Sequence, residues 1–235
     1  MSAGRLTLVA GPIGNLGDLS PRARQALIDA DVWFVEDTRV SGKLQLVLEV
    51  KRPMQVLNEH ASPHVIAKMV EQVAGGTNAA ILSDGGAPGV SDPGALLCDA
   101  CHEEGIEIDV VPGPSAPIAA LMASGFFAQR FAFLGFPPRK AGAIKKLLEP
   151  FAESPLTLVL FESPFRVHAL LKVIGEALPG RRYCVCRELT KLHQQVARFT
   201  FPEIPTEKQV PAKGEFTLVI EGLRRGRELT EEEDS

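Results

Sequence analysis

The segment Ser83-Asp84-Gly85-Gly86-Ala87-Pro88-Gly89-Val90-Ser91-Asp92-Pro93-Gly94 holds four glycines, two prolines and two carboxylates, directly after the apolar run Ala79 to Leu82. Glycine lets a backbone approach a ligand and adopt positive φ, and an Asp at a strand's carboxyl end can accept from ribose hydroxyls or an amino group. An ordinary strand-to-helix turn needs only a glycine or two and an N-cap. The stretch therefore reads as a ligand loop at the end of a strand.

A second glycine-rich loop, Gly11-Pro12-Ile13-Gly14-Asn15-Leu16-Gly17-Asp18, follows the apolar run Leu6 to Ala10. A dinucleotide fingerprint would need Gly-x-Gly-x-x-Gly opening a helix at once. Here Ser20-Pro21 places the N-cap and first helical turn well past the glycines. No Walker Gly-Lys-Ser/Thr occurs in the chain. The loops thus suit a nucleoside ligand without phosphates better than NAD or ATP.

The elements that must position these loops alternate in strand-length and helix-length patterns. Leu6 to Ala10, Val32 to Val35, Ala79 to Leu82 and Glu107 to Val111 read as strands. Pro21 to Asp31, a segment from about Ser41, Pro63 to Ala74 and Gly94 to Glu104 read as helices. That rhythm predicts an α/β fold with a mainly parallel sheet covered on both faces. Val111-Pro112-Gly113-Pro114-Ser115-Ala116-Pro117 breaks it, so residues 1–112 form one expected domain. Beyond the break, strands are expected at Phe131 to Leu134, Leu156 to Phe161, Tyr183 to Arg187 and Glu215 to Glu221, with a helix from about Ala141. They make 113–223 a second α/β domain of undetermined strand order. Residues 224–235 are charged and poor in apolar side chains, as in a disordered tail.

Composition narrows the class. The chain has 235 residues, 45% of them hydrophobic, and a formal net charge of −4. It can bury a large core, and nonspecific, charge-dominated nucleic-acid binding is disfavoured, although a local basic face is not. The longest apolar runs fall far short of a membrane span, and the N-terminus lacks a basic region ahead of a long apolar stretch, so a cytoplasmic protein with no membrane partner is expected. Cys98 and Cys101 form a Cys-x-x-Cys, but inside a helical stretch; Cys184 and Cys186 alternate along a strand. Neither pair reads as a metal site, and no metal is expected.

Six motifs in order carry a resemblance over about Leu6 to Gly222. They are Pro12-Ile13-Gly14-Asn15-Leu16-Gly17-Asp18, Glu36-Asp37-Thr38-Arg39, the Ser83 to Gly94 loop, Pro112-Gly113-Pro114-Ser115-Ala116, Arg187-Glu188-Leu189-Thr190-Lys191 and Lys213-Gly214-Glu215. Together they resemble the ribosomal RNA small-subunit methyltransferase I family of the tetrapyrrole-methylase superfamily. The resemblance implies two α/β domains with the cofactor in the cleft between them, usually as a homodimer. It implies transfer of a methyl group from S-adenosylmethionine to the ribose 2′-oxygen of a cytidine in small-subunit (16S) ribosomal RNA, free or in the assembled small subunit.

By the same resemblance, the cofactor contacts are Ile13, Leu82, Ser83, Asp84, Ala87, Ser115 and Ala116, with Gly85 and Gly86 letting the backbone come close, and Phe161 and Leu189 covering from the second domain. This suits S-adenosylmethionine, which needs backbone donors and acceptors, an apolar adenine slot and few charges. For the acceptor, orientation can supply most of the acceleration, and a base helps as the proton leaves. Asp37 and His60 are the candidate bases, and Arg39, Arg139 and Lys140 the candidate phosphate contacts. Asp37 with Arg39 also reads as a structural ion pair. The chain departs from the family at Asp84-Gly85-Gly86-Ala87-Pro88, usually Asp-Ala-Gly-Thr-Pro, and at Asn58-Glu59-His60-Ala61-Ser62, usually His-Glu-His-Asn-Glu. Two other readings stay open: methylation of a tetrapyrrole or other small acceptor, and a non-catalytic S-adenosylmethionine-binding paralogue.

Overall fold

A computed structural model of the chain describes residues 4–58, 60–92 and 94–224. Of the run expected as a tail, 225–235 lie outside the described residues. The chain divides into two compact units, Met1–Ala116 and Pro117–Ser235.

The first unit holds β1 (Arg5–Val9), α1 (Pro21–Asp29), β2 (Val32–Val35), α2 (Thr38–Leu48), β3 (Met54–Val56), α3 (Pro63–Ala74), β4 (Ala79–Leu82), α4 (Gly94–Glu103) and β5 (Glu107–Val111). Its five strands pair in the order β3-β2-β4-β1-β5, and every pairing is parallel. Parallel strands require crossovers, and the helices provide them while covering both faces. Alternation along each strand decides which face a side chain serves. Leu6, Phe34 and Ile81 pack with Met69 and Val73 of α3 and Leu97 and Cys101 of α4. Val9, Trp33, Val35 and Leu82 pack with Ala23 and Leu27 of α1 and Leu44 and Leu48 of α2.

Local capping sets where the helices begin. Ser20 Oγ accepts from Ala23 N at 3.0 Å and Ser62 Oγ from Val65 N at 3.4 Å, each followed by a proline in the first turn. Caps of this type contribute about 1 kcal/mol each. The helix expected from about Ser41 starts three residues earlier, at Thr38, because the Asp37 carboxylate accepts from Arg39 N and caps it. Strand β3 falls outside the sequence expectation; with three residues it is too short to show a period.

The second unit is also α/β, but its sheet is mixed. It comprises α5 (Ala116–Ser124), β6 (Phe131–Phe133), α6 (Ala141–Leu148), β7 (Thr157–Glu162), α7 (Val167–Ala177), β8 (Arg182–Arg187), β9 (Gln195–Thr200) and β10 (Phe216–Ile220). The order is β6-β7-β10-β8-β9, with β6 parallel to β7 and the other neighbours antiparallel. Ile144 and Leu148 of α6 and Leu170, Leu171 and Ile174 of α7 pack on Leu158, Leu160, Tyr183, Val185 and Leu218. The central strand β10 is buried at all five positions. Edge strand β9 instead alternates between half-buried and exposed residues, which hides it in a search for apolar runs.

Among the described residues no helix is long and apolar enough to cross a membrane, and no group of three or more His, Cys, Asp or Glu could hold a metal. All four cysteines are free thiols.

Candidate functional site

In a parallel sheet every strand ends on the same rim, so the loops after β1, β2, β3, β4 and β5 gather at the carboxyl edge of the first unit. Gly86 is the meeting point of three of them. It is buried, with φ at +88°. A Cβ there would lie 3.2 Å from Ile13 Cγ2, 3.4 Å from Pro114 O and 3.9 Å from Ser115 Cα. Gly11 N donates to Gly86 O at 2.9 Å, which ties the loop after β1 to the loop after β4. Only glycine accepts both that dihedral and that crowding without strain. Ile13, Ala87, Ser115 and Ala116 are half-buried around this junction.

Side chains fix the rest of the loop after β4. Asp92 Oδ1 accepts from Gly89 N and Gly94 N, both at 2.8 Å, folding the loop back onto the start of α4. A small recess opens beside it, lined by Glu36, Leu57, Ile81, Leu82, Ser83, Pro88, Asp92 and Gly94, with about 190 Å³ of empty space continuous with solvent. Ser83 Oγ is buried there without a hydrogen-bond partner among the described residues. An unsatisfied buried hydroxyl costs about 1–3 kcal/mol, so a ligand that bonds to it recovers that cost.

Two cross-links join the ends of β2 and β4. Asp37 N donates to Asp84 Oδ1 at 3.1 Å, and Asp84 N donates to Glu36 Oε2 at 3.3 Å. Burial pushes the Asp84 carboxyl above its ordinary value, and the Asp37 charge adds to that, against bonds from the Asp37 amide and the charge of Arg39. Sequence reasoning missed Glu36. Its signal was position, one residue past β2 and beside Asp37.

Asp37 and Arg39 form the ion pair that was one of their two expected roles. Arg39 Nε lies 3.0 Å from both Asp37 oxygens and Arg39 Nη2 2.5 Å from Oδ2, while Arg39 N donates to Oδ1 at 2.7 Å. The Arg39 side chain holds the Asp37 carboxyl down at about 2, with its backbone amide helping. Such a carboxylate is a weak base at neutral pH, because a proton taken up there is held poorly. The Arg39 side chain is 88% exposed, so the rest of its donor fork faces solvent. His60 lies in the turn after β3, exposed, with its backbone N donating to Asn58 Oδ1 at 3.0 Å. The structure therefore brings Asp37, Arg39, Asp84 and the Gly86 junction onto one rim, with His60 in the loop of the neighbouring strand.

The remaining expected residues belong to the second unit. Phe161, half-buried on β7, has Phe133 edge-on at 4.9 Å and Phe136 tilted at 5.4 Å between ring centroids. Leu189 is buried, at 9% exposure, in a loop with two non-glycine left-handed residues, Glu188 (φ +51°) and Thr190 (φ +65°). That conformation is costly for a β-branched side chain. A charge network holds it: Lys191 Nζ lies 2.9 Å from Glu188 Oε1 and 3.0 Å from Glu215 Oε2, and Glu215 N donates to Glu188 Oε1 at 3.0 Å. The network explains why Arg187 to Lys191 and Lys213-Gly214-Glu215 occur as separate motifs. Arg139 and Lys140 are exposed just ahead of α6.

Comparison with known proteins gives a consistent picture. Residues 5–205 match the family model for Tetrapyrrole (Corrin/Porphyrin) Methylases. The chain is 39% identical over 233 residues to the Ribosomal RNA small subunit methyltransferase I of Mycobacterium tuberculosis strain H37Rv, covering 98% of this chain and 82% of that one. It is 39% identical over 221 residues to the protein of the same name from Thermotoga maritima, covering 93% and 99%. Among solved structures, the methyltransferase CobJ superposes with a TM-score of 0.68 at 20% identity, over 95% of this chain and 98% of that one. Uroporphyrin-III C-methyltransferase from Thermus thermophilus, solved in complex with S-adenosylhomocysteine, gives 0.65 at 21% identity, over 93% and 97%. At such identities these structures speak for the fold alone.

Proposed function

The chain belongs to the ribosomal RNA small subunit methyltransferase I family of the tetrapyrrole methylases, and we propose that it methylates the ribose 2′-oxygen of a cytidine in small-subunit ribosomal RNA, with S-adenosylmethionine as donor. The observation that carries the reading is the Gly86 junction, where three strand-end loops converge beside the orphaned Ser83 hydroxyl. These features fit the cofactor: a tight backbone cradle, a half-buried apolar side chain at Ile13, one unsatisfied hydroxyl and one carboxylate, Asp84. When bound, S-adenosylmethionine supplies a methyl group already activated by its sulfonium, so the reaction as proposed calls for no metal.

The protein's own groups then have distinct tasks. Leu82, Ser83, Asp84, Gly85, Gly86 and Ala87 offer the donor molecule backbone and side-chain contacts, with Ile13, Ser115 and Ala116 against them. Phe161 and Leu189 enter the proposal on the resemblance alone. Arg39 holds a phosphate of the acceptor strand, and Asp37 anchors Arg39 rather than taking the proton. His60, on the adjacent loop, is the other candidate for proton transfer. Orienting the hydroxyl in line with the methyl supplies most of the acceleration.

The RNA acceptor is favoured over a tetrapyrrole because relatives at 36–41% identity carry the ribosomal RNA name, whereas the uroporphyrin enzyme stands at 21%. We place the protein in the cytoplasm, where ribosomal subunits assemble, as a homodimer. The test is methyl transfer from labelled S-adenosylmethionine to small subunits and to their free RNA, with the product mapped by mass spectrometry. Ribose-methylated cytidine is the expected product. Label on no RNA, with tight cofactor binding retained, would favour the non-catalytic reading.

A further inference from the structure

We propose that the second unit carries a stacking platform for single-stranded RNA, built on Phe165 and Phe136 and flanked by Arg139 and Lys140. The inference rests on the RNA-methylating reading and deepens it by saying where the acceptor strand is gripped. Phe165 is 93% exposed and Phe136 63% exposed, the two most exposed aromatic side chains among the described residues. Exposed rings are common singly, but here the backbone beneath them is fastened. Glu162, its side chain 1% exposed, pairs with Arg166 Nη2 at 3.2 Å. The same Nη2 donates to Pro137 O at 3.2 Å and Pro138 O at 2.9 Å. The buried Glu162 carboxylate places its charge beside Arg166, and the Arg166 guanidinium links the turn that carries Phe165 to the Pro137-Pro138 turn. Phe165 immediately precedes Arg166, and Phe136 immediately precedes the two prolines, so this clamp anchors the backbone that carries both rings. Solvent-facing rings on anchored turns suit a ligand that stacks.

The charge around the rings selects the ligand. From Pro117 to Leu148 the chain has five Lys and Arg and no Asp or Glu, in a protein of net charge −4. Lys145 is paired with Glu176, but Arg139 and Lys140 have no ion-pair partner among the described residues. Aromatic faces interleaved with free cations match a strand of bases and phosphates, and base stacking tolerates any sequence. Phe136 is also tilted against Phe161 at 5.4 Å between ring centroids, which extends the aromatic surface within the second unit. Single-stranded RNA fits better than a duplex, whose bases offer no free faces.

The test uses the full chain and a fluorescent ten-nucleotide oligocytidylate, with a duplex RNA as control. Phe165→Ala should weaken single-strand binding about tenfold, Phe165→Trp should restore it, and S-adenosylmethionine affinity should stay unchanged in both. The double change Arg139→Ala with Lys140→Ala should lower the slope of log affinity against log salt by about 1.4, as expected for two lost phosphate contacts on a single strand. Wild-type binding and methyl transfer that are unaffected by either set would overturn the platform and leave the proposed function standing. A wild-type protein that neither binds RNA nor methylates small subunits would overturn both. Sedimentation distinguishes the remaining case: if Phe165→Ala weakens RNA binding only by turning a dimer into monomers, the rings are a subunit contact and the platform is refuted.

Discussion

The loop after β4 and the loop after β8 both close a strand end and both use left-handed backbone, but they secure it in opposite ways. In the first unit the positive φ falls on glycines at Gly86 and Gly89, with Ser91 the exception; each loop also buries one hydroxyl without a partner among the described residues, Ser83 Oγ in the first and Thr190 Oγ1 in the second. In the second unit the positive φ falls on Glu188 and Thr190, and Lys191, Glu215 and Gly214 strap the strained turn in place. A Cβ on Gly214 would lie 2.5 Å from Glu188 Cδ, so that glycine makes room for a neighbour within the protein. Gly86 makes room where loops converge. The first loop is shaped by glycines packed against other loops of the rim; the second is braced by charged side chains.

The largest expected effect tests that contrast at Gly86. Gly86→Val should weaken S-adenosylmethionine binding by a factor of about 100 or more, roughly 2.7 kcal/mol, since a branched side chain must displace Ile13 or the Pro114 carbonyl. Calorimetry measures the affinity and circular dichroism checks the fold. A folded variant with unchanged affinity would remove the junction from the site.

Gly214→Ala should act on stability instead. With φ at +92° and the Glu188 side chain in the way, a loss of about 2 kcal/mol is expected in denaturant unfolding, with cofactor affinity changed less than threefold in the folded protein. If Gly214→Ala abolishes binding as Gly86→Val does, the two loops do not differ as described.

Smaller effects are expected at the exposed ion pair. Arg39→Ala should lower methyl transfer about tenfold, equivalent to about 1.4 kcal/mol, while cofactor affinity stays within a few-fold. Asp37→Asn should do less than Arg39→Ala, because its proposed task is to hold the guanidinium. A larger loss in Asp37→Asn, with a rate that rises with the ionisation of that carboxyl, would restore Asp37 as the base.

The pH dependence of stability is the mildest test. The Asp37 carboxyl is lowered from 3.8 to about 2, so its contribution is fully present above pH 4 and is lost as pH falls toward 2. Glu188 is also lowered: burial opposes this, but bonds from Lys191 and the Glu215 amide outweigh it, so its contribution too fades as pH falls. Thermal melts from pH 5 to 2 should show a shallower acid decline in both Asp37→Asn and Glu188→Gln. Acid slopes identical to the unmodified protein would show that neither pair contributes.

Much of the first unit was legible because its information is local. Strands buried on both faces read as continuous apolar runs, Ser20-Pro21 and Ser62-Pro63 announce their helices, and a long glycine-rich stretch after an apolar strand announces the loop at the rim. The second unit was read less completely. Strand β9 is an amphipathic edge, and the placement of β10 between β7 and β8 depends on partners far apart in sequence. Within the site, the sequence singled out Asp37 and Arg39 but left open what they do; their geometry ties them to each other and caps α2.

The sequence by itself determined the family, the α/β class, the rim loops and the glycine at their junction, because dihedral preference, periodicity and motif order are properties of neighbouring residues. Only the tertiary structure decided that Glu36 receives the Asp84 amide, that Lys191 bridges Glu188 and Glu215, and that Glu162 and Arg166 hold the turn beside Phe165. Each of these is a contact between separate turns of chain, and its strength depends on distance and burial, which no single stretch of sequence encodes.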